Sequence, residues 1–272
     1  MIELRNVNFS YEERPILRDV SFTIDDNETV VIMGPSGSGK STILRLILGL
    51  ECPQSGQVII DGQNICVMKG KPLREIRKQI GMVFQDGALF DSLTVGENVG
   101  YYLFEFTKMR EAEIEEKVRE MLGFVGLDAD DILDKLPDQL SGGMQRRVAI
   151  GRALLSTNPK IMLYDEPTTG LDPTAIENVL ELINKLAAHK QLCTIVVTHQ
   201  IVDAFSIAKR FIIVDSGEIV FDGSPDELRC CQDGRVAAFL APFQSSFEMI
   251  ERQRYVDGAL RDRRRREGDN PC

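Results

Sequence analysis

The sequence lacks any long apolar run. A membrane-spanning helix needs about 18 or more consecutive apolar residues, and no such stretch occurs among the 272 residues, so we expect no segment that crosses a membrane. The first residues alternate in polarity and include Glu3 and Arg5, so we expect no secretory signal there. With 43% hydrophobic and 27% charged residues, the composition is typical of a soluble globular chain long enough for a sizeable core.

Patterns that bind metals or nucleic acids are scarce as well. The six cysteines show no C-x-x-C spacing, and His189 and His199 are the two histidines that could join them in a metal site. We therefore expect reduced thiols, a cytosolic compartment and no structural zinc. The formal net charge of -10 disfavours a nucleic-acid partner, because neutralising phosphates requires a basic face.

A phosphate-binding loop is the most informative stretch that is present. The apolar run 29–33 is followed by glycines and serines and then by a helical pattern that begins near Lys40. The spacing fits G-x-x-x-x-G-K-[ST], in which glycines let backbone N–H groups approach phosphate oxygens and the helix adds the positive end of its dipole. Lys40 is expected on the β- and γ-phosphates and Ser41 on Mg²⁺. An ordinary Gly/Ser turn is the alternative, and the flanking strand and helix weigh against it.

Three further apolar strands are followed by side chains that can act on a bound phosphate. Gln85, the pair of Asp165 and Glu166, and His199 each stand where one of these strands ends. In open α/β sheets ligands bind at the carboxyl edge of the strands. An aspartate there can hold Mg²⁺, and a neighbouring carboxylate can polarise a water. The alternatives are turn chemistry before Pro167 and a structural role for the lone histidine.

Two weaker signals lie outside these strands. Ser141, followed by Gly142 and Gly143, opens a helix whose exposed N–H groups form a second anion-binding start. Taken alone, this pattern is more often a simple helix cap. Tyr11 precedes the phosphate loop and offers a flat face that could stack on an adenine ring, with a surface aromatic at a strand end as the alternative.

The order of the predicted elements indicates the domain organisation. Alternation over residues 2–6 and 20–24 predicts antiparallel strands at the start of the chain. We expect one domain over residues 1–240, in which a charged helical pattern inserts a helical subdomain over about 86–160. The arginine-dense end, residues 241–272, lacks the apolar content to pack by itself and is expected to be a tail.

Taken together, the motifs resemble the nucleotide-binding subunit of ATP-binding-cassette (ABC) transporters across essentially residues 1–230. The resemblance implies an α/β fold, namely a P-loop NTPase of the ABC type with an N-terminal antiparallel β subdomain and an inserted helical subdomain. It implies ATP and Mg²⁺ as cofactors. The residues that match the family's nucleotide-binding positions are Tyr11, Gly34, Pro35, Ser36, Gly37, Ser38, Gly39, Lys40, Ser41, Thr42, Ser141, Gly142, Gly143, Met144 and Asp172. Those that match its metal-binding positions are Ser41, Gln85 and Asp165.

The catalytic residues implied by the resemblance are Glu166, His199 and Gln85. Glu166 resembles the glutamate that activates the attacking water, beside Asp165, which matches the Walker B aspartate. His199 resembles the switch histidine that contacts the γ-phosphate, and Gln85 the Q-loop glutamine. The signature helix matches LSGGQ except at Met144.

The resemblance also implies partners. Two copies of the chain are expected to clamp two ATP molecules head to tail, each site using the phosphate loop of one copy and the signature helix of the other. An integral-membrane permease subunit would dock beside Gln85, which makes the chain peripheral on the cytoplasmic face of the inner (plasma) membrane. Leu89 and Phe90 are candidates for that docking surface, with packing inside the helical subdomain as the alternative. The tail is expected to contact the second ATPase subunit or anionic lipid headgroups, with plain disorder as the alternative.

A narrower resemblance concerns the cargo. Residues 84–95, 140–144 and 164–167 are similar to the ATPases of the Mla/Mce phospholipid-transport systems of bacterial envelopes, which implies a lipid-binding Mce-type protein as a further partner. Amino-acid-importer ATPases carry Phe-Gln and Leu-Thr-Val in the same region, so a small-solute importer is an alternative. A third is a non-transport cassette ATPase acting on DNA or ribosomes. Members of that class usually carry two cassettes, a coiled coil or a zinc insertion, none of which this sequence has.

Overall fold

A computed structural model describes residues 1–190 and 192–243 of the chain. In chain order its strands are β1 (Ile2–Tyr11), β2 (Arg14–Ile24), β3 (Thr29–Met33), β4 (Ser55–Ile60), β5 (Gln63–Asn64), β6 (Ile80–Val83), β7 (Ile161–Asp165), β8 (Cys193–Val197), β9 (Arg210–Asp215) and β10 (Glu218–Gly223). Its helices are α1 (Lys40–Ile47), α2 (Lys71–Arg77), α3 (Val95–Phe106), α4 (Glu111–Phe124), α5 (Ala129–Ile132), α6 (Gly142–Thr157), α7 (Pro173–Lys190), α8 (Ile201–Ile207), α9 (Pro225–Arg229) and α10 (Gly234–Leu240). Single 3₁₀ turns lie at Ile65–Val67, Pro137–Gln139 and Ala241–Phe243.

An antiparallel sheet with the strand order β2-β1-β4-β5 contains the N-terminal residues. β1 and β2 pair from Ile2 opposite Ile24 to Tyr11 opposite Arg14, so both strands are longer than the alternation predicts. The reason is a set of register shifts near Asn6, whose φ is 46°. Such bulges interrupt the alternation of apolar residues without ending the pairing.

The second sheet has the strand order β10-β9-β3-β8-β7-β6. Its strands run parallel except β10, which forms an antiparallel hairpin with β9. β3 and β8 are buried along almost their whole length and are apolar at nearly every position, which is typical of strands covered on both faces. Because β3, β6, β7 and β8 point the same way, their carboxyl ends lie along one edge of the sheet.

Each face of the parallel sheet has its own core. On one face, α3, α4, α6 and α7 contribute buried residues such as Val118, Ile150 and Ile183. On the other face, α1 and the antiparallel sheet contribute residues such as Ile43 and Leu4. The apolar stripe of α1, which follows the phosphate loop, therefore anchors that loop between the two sheets.

The architecture contains the N-terminal antiparallel sheet, the parallel sheet and the helical segment that the sequence predicts. The boundary at residue 240 stays a prediction, because most of the expected tail, residues 244–272, lies outside the described residues. Among the residues that are described, no helix is both long and apolar enough to cross a membrane.

Candidate active site

Four loops converge on the carboxyl edge of the parallel sheet. The register pairs Ile32 of β3 with Val197 of β8, Val197 with Asp165 of β7, and Tyr164 with Val83 of β6. The phosphate loop, His199, the pair of Asp165 and Glu166, and Gln85 each lie at or just after the end of one of these strands. Side chains that are far apart in the sequence therefore meet at one edge, as the sequence predicts.

The phosphate loop presents unpaired backbone N–H groups at the start of α1. Gly39 is the N-cap residue, with a φ of 109°, and no side chain caps the helix. The first N–H groups of a helix have no partner within it, so those of Lys40 and Ser41 are open to an anion at the positive end of the helix dipole. Glycine is required at Gly34, because a Cβ there would lie 2.0 Å from the carbonyl oxygen of Val214. The other predicted loop residues divide into exposed Pro35, Ser36 and Gly37 and buried Ser38 and Thr42.

The ammonium group of Lys40 is held inside the loop. Its Nζ donates to the carbonyl oxygens of Gly34 and Pro35, both at 2.9 Å, and the residue is buried. Burial lowers the pKa of Lys40, while the negative charges of Glu166 and Asp165 raise it. An ammonium has three donors, so one remains for a phosphate oxygen.

Side-chain oxygens at the phosphate loop are placed to meet a phosphate and a divalent cation. The buried Ser38 Oγ has no hydrogen-bond partner, which costs free energy unless a ligand supplies one. Ser41 Oγ donates to Asp165 Oδ1 at 3.1 Å and so joins the loop to the end of β7. Burial raises the pKa of Asp165, and the hydrogen bond from Ser41 opposes that shift. Hydroxyl and carboxylate oxygens suit Mg²⁺, whose other ligands would be phosphate oxygens and waters.

Both carboxylate oxygens of Glu166 contact neighbouring side chains. Oε1 lies 2.9 Å from His199 Nδ1, and Oε2 accepts a hydrogen bond from Thr169 Oγ1 at 2.9 Å. The φ of Glu166 is 50°, in the left-handed region that residues other than glycine rarely adopt. Its N–H donates to the carbonyl oxygen of Val197 at 2.9 Å. A carboxylate fixed in this way beside an imidazole is suited to accept a proton from a water.

Gln85 is an exposed residue in a loop that α6 holds in place. Arg146 Nη1 donates to the carbonyl oxygen of Phe84 at 2.7 Å. Arg152 donates to the carbonyl oxygens of residues 87 and 88 at 2.9 and 2.8 Å. The backbone is therefore fixed on both sides of Gln85, while its amide remains free to reach a ligand at the sheet edge.

Tyr11 is tied to the helix that begins at the phosphate loop. Arg45 Nη1, in α1, donates to the Tyr11 hydroxyl at 3.1 Å. The ring packs edge-on against Phe9, with the two ring centroids 4.8 Å apart. Tyr11 is 38% exposed, which leaves ring surface on which a base can stack.

The start of α6 is a capped turn that packs against the loop before α7 and the first turn of α7. Ser141 Oγ accepts from the Met144 N–H at 3.3 Å, and Asp172 Oδ1 accepts from the Ala175 N–H at 3.0 Å. Glycine at 143 is needed for this packing, because a Cβ there would lie 2.6 Å from Ala175 Cβ. Within the described chain no hydrogen bond joins residues 141–144 to the phosphate loop. A single chain thus assembles four of the predicted loops but not the signature helix.

Several polar residues that shape this edge were missed by the sequence analysis. Asn98 is fully buried in α3; its side chain accepts from the Phe90 N–H at 2.8 Å and donates to the carbonyl oxygens of residues 90, 93 and 94 at 3.0 Å. A signal was available, because an amide on the apolar stripe of an amphipathic helix must have internal partners. The other missed residues are Arg146, Arg152, Thr168 and Asp203.

These features define a class of P-loop protein. A family model described as ABC transporter matches residues 17–169, a span that runs from β2 through the phosphate loop to the loop after the carboxylate pair. The match covers more than half of the 272 residues, and the chain belongs to the ABC transporter family.

Individual relatives agree with this assignment. The intermembrane phospholipid transport system ATP-binding protein MlaF of Haemophilus influenzae is 38% identical over 240 residues, or 88% of this chain and 90% of that protein. The methionine import ATP-binding protein MetN 1 of Staphylococcus aureus is 41% identical over 232 residues, or 84% of this chain and 67% of that protein. Among solved structures, the ATP-binding cassette MJ0796 in a dimeric post-hydrolysis state with ADP and Pi has a TM-score of 0.76 at 38% identity, over 82% of this chain and 98% of that one.

The chain is therefore an ABC-type ATPase, the ATP-binding subunit of an ABC transporter. The predicted family, fold class and enzymatic activity are confirmed. The roles of single residues stay predictions. The relatives include a phospholipid system and a methionine importer, so they leave the substrate class open.

Proposed function

We propose that this chain powers phospholipid transport in a bacterial envelope by hydrolysing ATP. The observation that carries the proposal is the 38% identity with the phospholipid-transport ATPase over 88% of the chain. The segment 84–95 supports it through its resemblance to the Mla/Mce ATPases, and Asn98 and Arg152 hold that segment in place. The cargo is then a phospholipid, and an Mce-type lipid-binding protein is a further partner.

The chain's own residues divide the chemistry among them. Lys40 and the N–H groups of the phosphate loop bind the phosphates of ATP, and Tyr11 stacks on its adenine. Glu166 takes a proton from the attacking water. Because His199 Nδ1 lies at hydrogen-bond distance from Glu166, its Nε2 is the atom left to meet the γ-phosphate.

Ser41 and Asp165 would hold Mg²⁺, with Gln85 as a third protein group. When bound, the ion neutralises charge that develops on the phosphate oxygens. The contact between Ser41 and Asp165 already places the two oxygens side by side, so the chain needs little rearrangement to offer them as ligands.

A second copy of the chain completes each ATP site. Ser141, the N–H groups of Gly142 and Gly143, Met144 and Asp172 would come from that copy, because the start of α6 makes no hydrogen bond to the phosphate loop of its own chain in the described residues. The positive end of the α6 dipole would face the same phosphates as α1. ATP would therefore hold two chains together head to tail.

Cross-linking tests this arrangement. In a cysteine-depleted Glu166→Gln background, Ser36→Cys and Ser141→Cys, both at exposed positions, are expected to form a disulfide between two chains when ATP is present. The measurement is the dimer band on non-reducing gels, with ADP and nucleotide-free samples as controls. A cross-link within one chain, or one that is equally strong without ATP, would rule out the head-to-tail pair.

The permease would dock beside the Q loop and keep the chain peripheral on the cytoplasmic face of the inner membrane. Of the two candidate residues, Leu89 is half-buried and packs against the helical core. Phe90 is 43% exposed and lies over Tyr101, with ring centroids 4.7 Å apart. Phe90 is therefore the better candidate for a contact with the permease.

We expect Phe90→Glu to abolish co-purification with the permease, because a charge cannot enter an apolar interface without loss of binding. The control is Val67→Glu, which adds the same charge at an apolar residue that is 76% exposed beside the antiparallel sheet. Recovery of the permease with folded Phe90→Glu at the level of the control would remove Phe90 from the interface.

The alternative cargo is an amino acid, supported by the 41% identity with the methionine importer. Affinity purification from membranes followed by mass spectrometry identifies the permease. The purified complex is then reconstituted in liposomes, and ATP hydrolysis and substrate movement are measured with fluorescent phospholipid and with methionine. Phospholipid movement that depends on ATP supports the proposal, whereas ATP-dependent methionine uptake supports the alternative.

A further inference from the structure

Two buried polar residues form a bond behind the carboxylate pair. Thr168 is 2% exposed and lies in the loop after β7, and Asp203 is 7% exposed and lies in the first turn of α8. Thr168 Oγ1 donates a hydrogen bond to Asp203 Oδ2. Neither residue is among the nucleotide-binding positions considered above.

This bond is not needed merely to fill space. Burial raises the pKa of Asp203, and the hydrogen bond from Thr168 acts against that shift. A buried carboxylate costs free energy that a hydrogen bond only partly offsets, whereas two apolar residues of similar shape can be as stable or more so. What the polar pair adds is a directional link between two segments.

The two linked segments are those that hold the oxygens of Glu166. Thr168 is followed by Thr169, whose hydroxyl donates to Glu166 Oε2 at 2.9 Å. Asp203 belongs to the helix that begins directly after the loop of His199, whose Nδ1 lies 2.9 Å from Glu166 Oε1. The hydrogen bond between Thr168 and Asp203 therefore joins the segment that contacts Oε2 of Glu166 to the segment that contacts Oε1.

We propose that Asp203, acting through Thr168, is a positioning residue for ATP hydrolysis. It fixes the loop after β7 against α8, so that Glu166 and His199 keep the separation from which the water is activated. The inference rests on the proposed role of Glu166. Both side chains are buried and lie outside the proposed ATP-binding positions, so loss of their bond is expected to change the rate of the chemical step and to leave ATP binding intact.

The test is steady-state hydrolysis and equilibrium ATP binding by the purified full chain. Thr168→Val keeps the side-chain volume and removes the hydrogen-bond donor. It is expected to lower kcat about tenfold, as loss of a group that orients a catalytic residue does. KM and the Kd for ATP are expected to stay within about twofold of the values for the unchanged chain. Thr168→Ser, which restores the hydroxyl, is expected to recover the rate. The control is Ser206→Ala, which removes an exposed hydroxyl of α8 that bonds only to its own helix and is expected to leave kcat unchanged.

A double variant separates positioning from stability. Thr168→Val with Asp203→Leu removes the unpaired buried carboxylate; it is expected to be more stable than Thr168→Val and to hydrolyse ATP as slowly. It also carries the test if Thr168→Val does not fold. A normal kcat in either folded variant, a rise in KM alone, or recovery of the rate together with stability would overturn the inference. Normal hydrolysis by Glu166→Gln would instead overturn the proposed role of Glu166, so the two failures are distinguishable.

Discussion

Glu166→Gln is expected to reduce kcat for ATP hydrolysis by about a thousandfold while the affinity for ATP stays within about twofold. The amide has nearly the shape of the carboxylate but cannot accept a proton from the attacking water. Lys40 and the N–H groups of the phosphate loop are unaffected by this change, so binding is preserved. Rapid phosphate release assays measure kcat, and titration with a fluorescent ATP analogue measures affinity.

A matched variant controls for loss of charge. Glu181 is an exposed carboxylate on α7, and Glu181→Gln is expected to hydrolyse ATP at the rate of the unchanged chain. Near-normal turnover by Glu166→Gln would remove Glu166 from proton transfer. A weaker affinity for ATP with unchanged kcat would assign it a binding role instead.

The parts of the site that were predictable are those in which a strand determines where a side chain goes. Gln85, the carboxylate pair and His199 each follow an apolar run, and parallel strands bring their carboxyl ends to one edge. The phosphate loop is also local, because its glycines, its lysine and the helix start are consecutive. Periodicity and spacing therefore contain the information needed for these residues.

The parts that were not predictable depend on contacts between distant segments. Arg146 and Asp203 have partners 62 and 35 residues away in the chain, and no local pattern names such a partner. The left-handed φ of Glu166 is another example, since a glutamate in a sequence does not indicate that conformation. The predicted N-terminal strands were shorter than the observed ones for a related reason. A register shift near Asn6 breaks the alternation of apolar residues on which the prediction depends.

One structural fact limits what a single chain can do. The start of α1 at the phosphate loop has no side-chain cap, whereas the start of α6 is capped by Ser141 and keeps the N–H groups of Gly142 and Gly143 open to an anion. No hydrogen bond joins these two helix starts within the described part of the chain. In the proposed head-to-tail pair, ATP bound to the phosphate loop of one chain would bridge to the start of α6 in the other, so binding to the phosphate loop would come first. The residue on which that first step depends most strongly is Lys40.

Lys40→Ala is expected to weaken ATP binding by about a hundredfold, the upper end of the roughly 1.5–3 kcal/mol that a hydrogen bond to a charged group contributes. The variant loses the Nζ donor for a phosphate oxygen, and it also loses the bridge between the carbonyl oxygens of Gly34 and Pro35, so the loop itself becomes less ordered. Hydrolysis at saturating ATP and the Kd from titration are compared with those of Lys78→Ala, whose exposed ammonium pairs with Glu75 and is expected to have no effect. An unchanged Kd in folded Lys40→Ala would show that the backbone N–H groups and the dipole of α1 bind the phosphates without the lysine. Lys40 would then have no part in the step in which ATP binds the phosphate loop.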